Sequence, residues 1–99
     1  MAEEKKLEQK LVKAVRDIGG LALKFVSPGC DGVPDRLILI AYGKVAFVEV
    51  KAKGKKPRPI QIRRINQIKN LGFLVFILDD EKDIPSIIQQ VKGDQINVT

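Results

Sequence analysis

The sequence predicts an α/β fold, a mixed four-stranded sheet made of a β-hairpin plus a parallel crossover strand, flanked by helices. Three observations predict it. Apolar residues recur at helical spacing in two segments. Two strand-like runs, DRLILIA (35–41) and KVAFVEVKA (44–52), are separated only by a short turn containing Tyr42 and Gly43. A third run, FLVFIL (73–78), follows the second helical segment, and strand, helix, strand in that order implies a right-handed crossover with parallel pairing.

The elements follow in order. Residues 3–18 place Leu7, Leu11, Ala14, Val15 and Ile18 on one helical stripe, and Gly19-Gly20 stops the helix. LALKFV (21–26) reads as a strand, and SPGCDGVP after it as a loop. Beyond the hairpin, KGKKPRP is a loop whose prolines suit the entry to a helix over 59–71, with Ile62, Ile65, Ile68 and Leu71 as its apolar stripe. Gly72 closes that helix. FLVFIL is apolar throughout, which predicts a strand covered on both faces. A last helix over 84–92 starts near Asp83 and Pro85 and ends at Gly93, and the tail QINVT is expected to fray. No repeat or linker interrupts the chain, so residues 1–99 are expected to form one domain.

Composition removes most catalytic chemistries. The chain has no histidine, which excludes Ser-His and Cys-His pairs, histidine bases and His-containing zinc sites. Its single cysteine, Cys30, excludes a disulfide or a cysteine cluster within one chain and fits a reducing cytoplasm. The charged start MAEEKKLEQK is unlike a secretory signal, and the longest apolar run, 71–78, is too short to span a bilayer. No membrane partner and a cytoplasmic location are therefore expected. Carboxylates, lysines, hydroxyls and a hard metal ion remain for chemistry.

The formal charge of +6 is concentrated in one stretch. Lys51, Lys53, Lys55, Lys56, Arg58, Arg63 and Arg64 follow one another with no acid among them; outside that stretch, 11 basic residues face 12 acids. So one-sided a run points to a polyanion partner, with Lys53, Lys55, Lys56, Arg58, Arg63 and Arg64 as its contacts.

Strand periodicity then locates a site. Phe47, Glu49 and Lys51 share one face of their strand, while Val48, Val50 and Ala52 form the other. If Gly43 takes the left-handed position of a three-residue loop, Ile40 pairs with Lys44, and the same register sets Asp35 opposite Glu49. Carboxylates that close repel unless a cation lies between them, as in a Mg²⁺ or Mn²⁺ site. A metal there polarises a phosphoryl oxygen and acidifies a water, and Lys51 can orient that water or offset charge growing on phosphorus.

Gly32-Val33-Pro34-Asp35, then Glu49-Val50-Lys51, then Gln61 in the next helix resembles the VRR-NUC branch of the PD-(D/E)xK nuclease superfamily. The resemblance covers nearly the whole chain and implies a restriction-endonuclease-like core. It implies that Asp35, Glu49 and the backbone carbonyl of Val50 bind the metal, that Lys51 is the catalytic lysine and that Gln61 lies near the site. A first-helix glutamate would complete the set, directly or through water. Glu8 is the better candidate because it borders the sheet-facing stripe, whereas Glu4 lies nearer the helix end. The resemblance further implies a Mg²⁺- or Mn²⁺-dependent endonuclease without an organic cofactor. Small stand-alone members, many from phages, resemble Holliday-junction resolvases and work as homodimers. That suggests branched or structured DNA as substrate and, if the chain is phage-encoded, the cytoplasm of a bacterial host as location. No appended sequence-reading domain is evident. The alternatives are a non-catalytic DNA-binding module on the same fold, or a nuclease acting on duplex, flap or nicked DNA.

Other polar residues have plainer readings. Cys30 is a small loop residue without an activating neighbour, and Asp31 is a turn-stabilising aspartate. Arg36 points away from the face of Asp35. Asp79, Asp80, Glu81 and Asp83 form the acidic entry to the last helix. The few aromatic residues are not interleaved with the basic stretch, which disfavours stacking on single-stranded bases.

Overall fold

In the computed structural model, which describes residues 2–93, helix α1 (Ala2–Asp17) leads into a four-stranded sheet. Its strands β1 (Leu21–Lys24), β2 (Arg36–Ile40), β3 (Lys44–Val50) and β4 (Leu74–Leu78) lie in that order. The first three are antiparallel and β4 is parallel to β3. Helix α2 (Pro59–Asn70) makes the crossover, and α3 (Ile84–Lys92) follows β4. Among the described residues no helix is long and apolar enough to cross a membrane. The tail expected to fray lies outside the described residues.

The hairpin has the predicted register: Ile40 pairs with Lys44 and Arg36 with Val48. Gly43 is left-handed (φ 72°), and so is the exposed Tyr42 (φ 67°), a conformation that costs a side chain about 1–2 kcal/mol. The loop's three residues fix the parity of the pairing, and parity decides which side chains face which way.

The two faces of the sheet are covered unequally. On one, Ile38, Ala46, Val48, Val50 and Leu78 pack beneath α1 and α3, which contribute Leu11, Val15, Ile87 and Val91. These buried aliphatics are the core, and truncating one such as Leu11 to alanine would cost about 2–5 kcal/mol. On the other face α2 packs on β4 and buries Ile65 and Gln61. Among the described residues, no helix packs as closely on β1 and β2 there. Cross-strand rows Leu23–Leu37–Phe47 and Leu21–Leu39–Val45 run over that uncovered part.

Several expectations need correction. Helix α1 covers 2–17 rather than 3–18, and β1 ends at Lys24, although the Phe25 amide still donates to the Asp35 carbonyl (2.9 Å). β4 is an edge strand: Leu74 and Ile77 are exposed, so FLVFIL is not covered on both faces. Its uniform apolarity reflects neighbours on alternating sides, not burial of every residue. The inward stripe of α2 is rotated by one position from Ile62, Ile65, Ile68 and Leu71. Gln61 and Ile65 are buried while Ile62 and Leu71 are exposed, because Gln61 turns inward to meet a carboxylate. A 3-10 turn (Glu81–Asp83) precedes α3. Its cap is Asp80, which accepts from the Lys82 amide (3.1 Å), whereas Asp83 makes no capping hydrogen bond.

Gly32 joins the loop before β2 to the start of α2. A Cβ there would stand 2.7 Å from the Ile60 carbonyl oxygen, and φ is 83°. Gly29 has a similar φ of 80° but open space around it. Gly32→Ala should therefore lower the melting temperature distinctly more than Gly29→Ala, which carries only the left-handed penalty of about 1–2 kcal/mol. Thermal unfolding followed by circular dichroism measures the difference.

Candidate active site

The site forms where β3 ends. Asp35 sits just before β2, and its Oδ2 accepts the Val50 amide (2.8 Å). On the other side of the strand the Lys51 amide donates to the Leu78 carbonyl (2.9 Å), which carries the parallel pairing one residue past β3. Glu-Val-Lys is thus held from both flanks, with Glu49 on the α2 side of the sheet and Val50 in the core.

Glu49 is only 1% exposed. Its Oε2 accepts from the Gln61 side-chain amide (2.8 Å) and lies 3.5 Å from the Lys51 ammonium. Its Oε1 is buried with no hydrogen-bond partner among the described residues. Burial, then the neighbouring Asp35 charge, push the Glu49 carboxyl up from an ordinary 4.5 to about 7, against the pull of Lys51. Asp35 is also raised, mainly by burial and further by Glu8 and Glu4, although the Val50 amide opposes this.

Gln61 has two tasks. Its Oε1 accepts the Arg58 amide (2.7 Å) in the first turn of α2, which leaves its NH₂ to face Glu49. The two bonds fix which end of the amide points where.

On α1, the predicted Glu8 forms an ion pair with Arg36 (2.7 Å), which also donates to the Ala22 carbonyl (3.0 Å). Glu4, passed over in sequence, accepts the Ala52 amide (3.2 Å) just beyond Lys51, and its charge bears on both Asp35 and Glu49. The one signal for it was its position one turn before Glu8. Among the described residues no three His, Cys, Asp or Glu side chains form a metal-binding group. Two carboxylates and the main chain at Val50 are what the hairpin brings together.

The basic stretch divides into two kinds. Lys53 pairs with Asp80 (3.3 Å), and Arg64 donates to the Asp31 carbonyl (2.9 Å) and to Gln67 (2.7 Å). Lys55, Lys56, Arg58 and Arg63 are exposed and form no ion pair among the described residues. Cys30 is a free, half-buried thiol in the loop before Asp35.

No family model matches the chain. A solved structure described as a VRR_NUC domain superposes with a TM-score of 0.83 at 30% identity, covering 88% of this chain and 95% of that one. "Putative nuclease p44" of Acyrthosiphon pisum secondary endosymbiont phage 1 is 48% identical over 91 residues, 92% of this chain and 97% of that protein. The chain belongs to the VRR-NUC family. The α/β sheet with its three helices is the VRR-NUC fold, and the hairpin end is where that fold here gathers its buried charge.

Burying that charge has a consequence for stability. Because the folded pKa of Glu49 (about 7) exceeds its ordinary 4.5, the native state holds a proton that the unfolded chain releases. Stability is therefore fully present below 4.5 and is lost as pH rises through 7. In EDTA, the VRR-NUC chain should melt lower at about pH 8 than at about pH 5. Glu49→Gln should remove most of that slope and raise the melting point at the higher pH by several degrees, since ~1 kcal/mol is worth about 4–8 °C in a domain of this size. Scanning calorimetry across pH measures both.

Proposed function

We propose that this VRR-NUC protein is a Mg²⁺- or Mn²⁺-dependent endonuclease that hydrolyses phosphodiester bonds of branched or structured DNA, as Holliday-junction resolvases do, and works as a homodimer. The carrying observation is the Glu49 carboxylate: buried, with one oxygen unpartnered, beside a second raised carboxylate. Such a pair is unfavourable alone and fits a small, hard cation, for which oxygen ligands are the natural donors.

Asp35, Glu49 and the Val50 carbonyl would hold the ion, with Glu4 or Glu8 of α1 completing the set directly or through water. The bound ion would polarise a phosphoryl oxygen and lower the pKa of a water molecule. Lys51 presents its ammonium 3.5 Å from Glu49, where it orients the attacking water or offsets negative charge developing on phosphorus. Gln61 acts through Glu49, holding one carboxylate oxygen so that the other stays free. Lys55, Lys56, Arg58 and Arg63 bind phosphates on the DNA backbone, and Lys53 and Arg64 can exchange their internal partners for phosphates. Two sites related by a two-fold axis suit two symmetric strands of a junction. A phage relative suggests the bacterial cytoplasm as the place of action.

The test is a panel of labelled linear, nicked, flap and four-way DNA substrates with Mg²⁺ or Mn²⁺. Cleavage should be abolished by EDTA, by Asp35→Ala and by Glu49→Ala, and Lys51→Ala should lower kcat roughly 10²–10³-fold. Calorimetric titration with Mn²⁺ should show binding to the wild type that Asp35→Ala loses. Undiminished cleavage by both carboxylate variants would sink the site. Tight binding of four-way junctions with no cut in any substrate would instead make the protein a binding module.

A further inference from the structure

The loop that joins β1 to β2 ends in Asp35, yet little fastens it. The Phe25 amide donates to the Asp35 carbonyl (2.9 Å), and the Cys30 amide closes a turn on the Ser27 carbonyl (3.0 Å). Between the loop and α2 runs a groove of about 300 Å³, with Ser27, Cys30 and Val33 on one side and Gln67 and Ile68 on the other. Packing alone therefore does not close the loop on the helix. Among the described residues, a single hydrogen bond joins the inside of the loop to another element: Nε of Arg64 donates to the Asp31 carbonyl (2.9 Å). Gly32, next in the chain, passes close to the Ile60 carbonyl at the start of α2. The guanidinium is itself held, because its Nη1 donates to the Gln67 side chain (2.7 Å). Its planar fork serves two acceptors at once.

We infer that Arg64 is a positioning residue for Asp35: it braces the loop before β2 on α2, so that one helix sets the places of both carboxylates. Gln61 and Arg64 stand three apart on α2 and share one side of it. Gln61 reaches Glu49 directly, and Arg64 reaches Asp35 through Asp31, four residues before it. Two neighbouring carboxylates repel until a cation arrives, and each keeps its place only if something holds it. This part for Arg64 rests on the nuclease reading of Asp35 and narrows it, because an Arg64 that took a phosphate would let go of Asp31. Charge does not account for the contact, since a peptide carbonyl carries no net charge. The guanidinium turned to solvent is that of Arg63, exposed and in no ion pair among the described residues. A lysine at position 64 would keep the charge but lose the fork.

Nuclear magnetic resonance of the full chain in EDTA reads the brace without metal. The Val50 amide donates to the Asp35 carboxylate (2.8 Å), so its hydrogen exchange reports where that carboxylate lies. In Arg64→Lys, Val50 exchange should quicken about tenfold. The amides of Ile38 and Val48, in the core, should keep their wild-type rates, which a general loss of stability would not allow. Calorimetry should show Mn²⁺ bound about tenfold more weakly by both Arg64→Lys and Arg64→Met. Binding of linear duplex in EDTA should keep its salt dependence in Arg64→Met, whereas Arg63→Met should lose about 0.9 of the slope, one phosphate contact, and bind Mn²⁺ normally. Wild-type Val50 exchange in Arg64→Lys overturns the inference. So does an Arg64→Met that loses slope as Arg63→Met does while its Mn²⁺ affinity is intact. If the wild type binds no Mn²⁺, the nuclease reading fails at that step, and Val50 exchange still decides the brace. If the variants unfold, the wild-type Arg64 Nε–H decides instead: slow exchange behind the Asp31 carbonyl supports the brace, and free exchange overturns it.

Discussion

The Asp35 carboxylate accepting the Val50 amide ties the start of β2 to the end of β3, and the rest of the site is arranged around that contact. The hydrogen bond exists because the hairpin pairs Ile40 with Lys44 and keeps that register for the length of β2. A slip of one residue would turn every β2 side chain to the opposite face. Asp35 would leave Val50, and the core leucine-and-isoleucine pattern would invert with it. The same register that buries Ile38, Val48 and Val50 therefore brings the carboxylate to Glu49. Folding and site assembly are one choice, made largely by a three-residue turn.

Once the register is set, the charge at Glu49 must be accommodated. Core packing on one side and α2 on the other remove its water, and removing water from a carboxylate costs several kcal/mol unless it is paired. Lys51 and Gln61 compensate only one of its oxygens. Gln61 is an unusual choice for an inward helix position, yet it also accepts the Arg58 amide at the helix start. A leucine there would bury more apolar area, but it would leave the Arg58 amide without that acceptor and Glu49 without a donor. The rotation of α2 that exposes Ile62 and Leu71 follows from this polar contact, so the helix is oriented by the site as much as by the core.

How much of this was legible in the sequence depended on how local each determinant is. The hairpin, its register and the Asp35–Glu49–Lys51 constellation came from a short turn and period-two alternation, both local. The order of strands followed from chain connectivity. The side of α2 that faces the sheet was misread because a helix stripe drawn from apolar residues ignores a glutamine turned inward by a distant glutamate. The edge position of β4 was misread because an all-apolar strand looks the same at an edge as at the centre of a sheet. Glu4 and Glu8 are one turn apart on α1 and equivalent by periodicity; they differ because Arg36, whose role is set by tertiary packing, takes Glu8 into an ion pair. The meeting of Phe25, Phe47 and Phe73, far apart in the chain, had no local signal at all.

Strand β3 shows how one alternation can serve two ends. Its inward residues Ala46, Val48 and Val50 are uniformly core. Its other face changes character along its length, from Val45 and Phe47 in an apolar surface to Glu49 and Lys51 in a charged site. The two stretches are consecutive positions of one strand, which β2 and β4 pair on either side. Whatever packs on Phe47 therefore bears on the residue two positions ahead, and whatever orders the Ser27–Val33 side of the groove bears on Asp35. A site whose two acids repel gains from being held on both strands at once. The apolar row of Leu23, Leu37 and Phe47 lies on the same side of the sheet as Glu49, one same-face position away along β3.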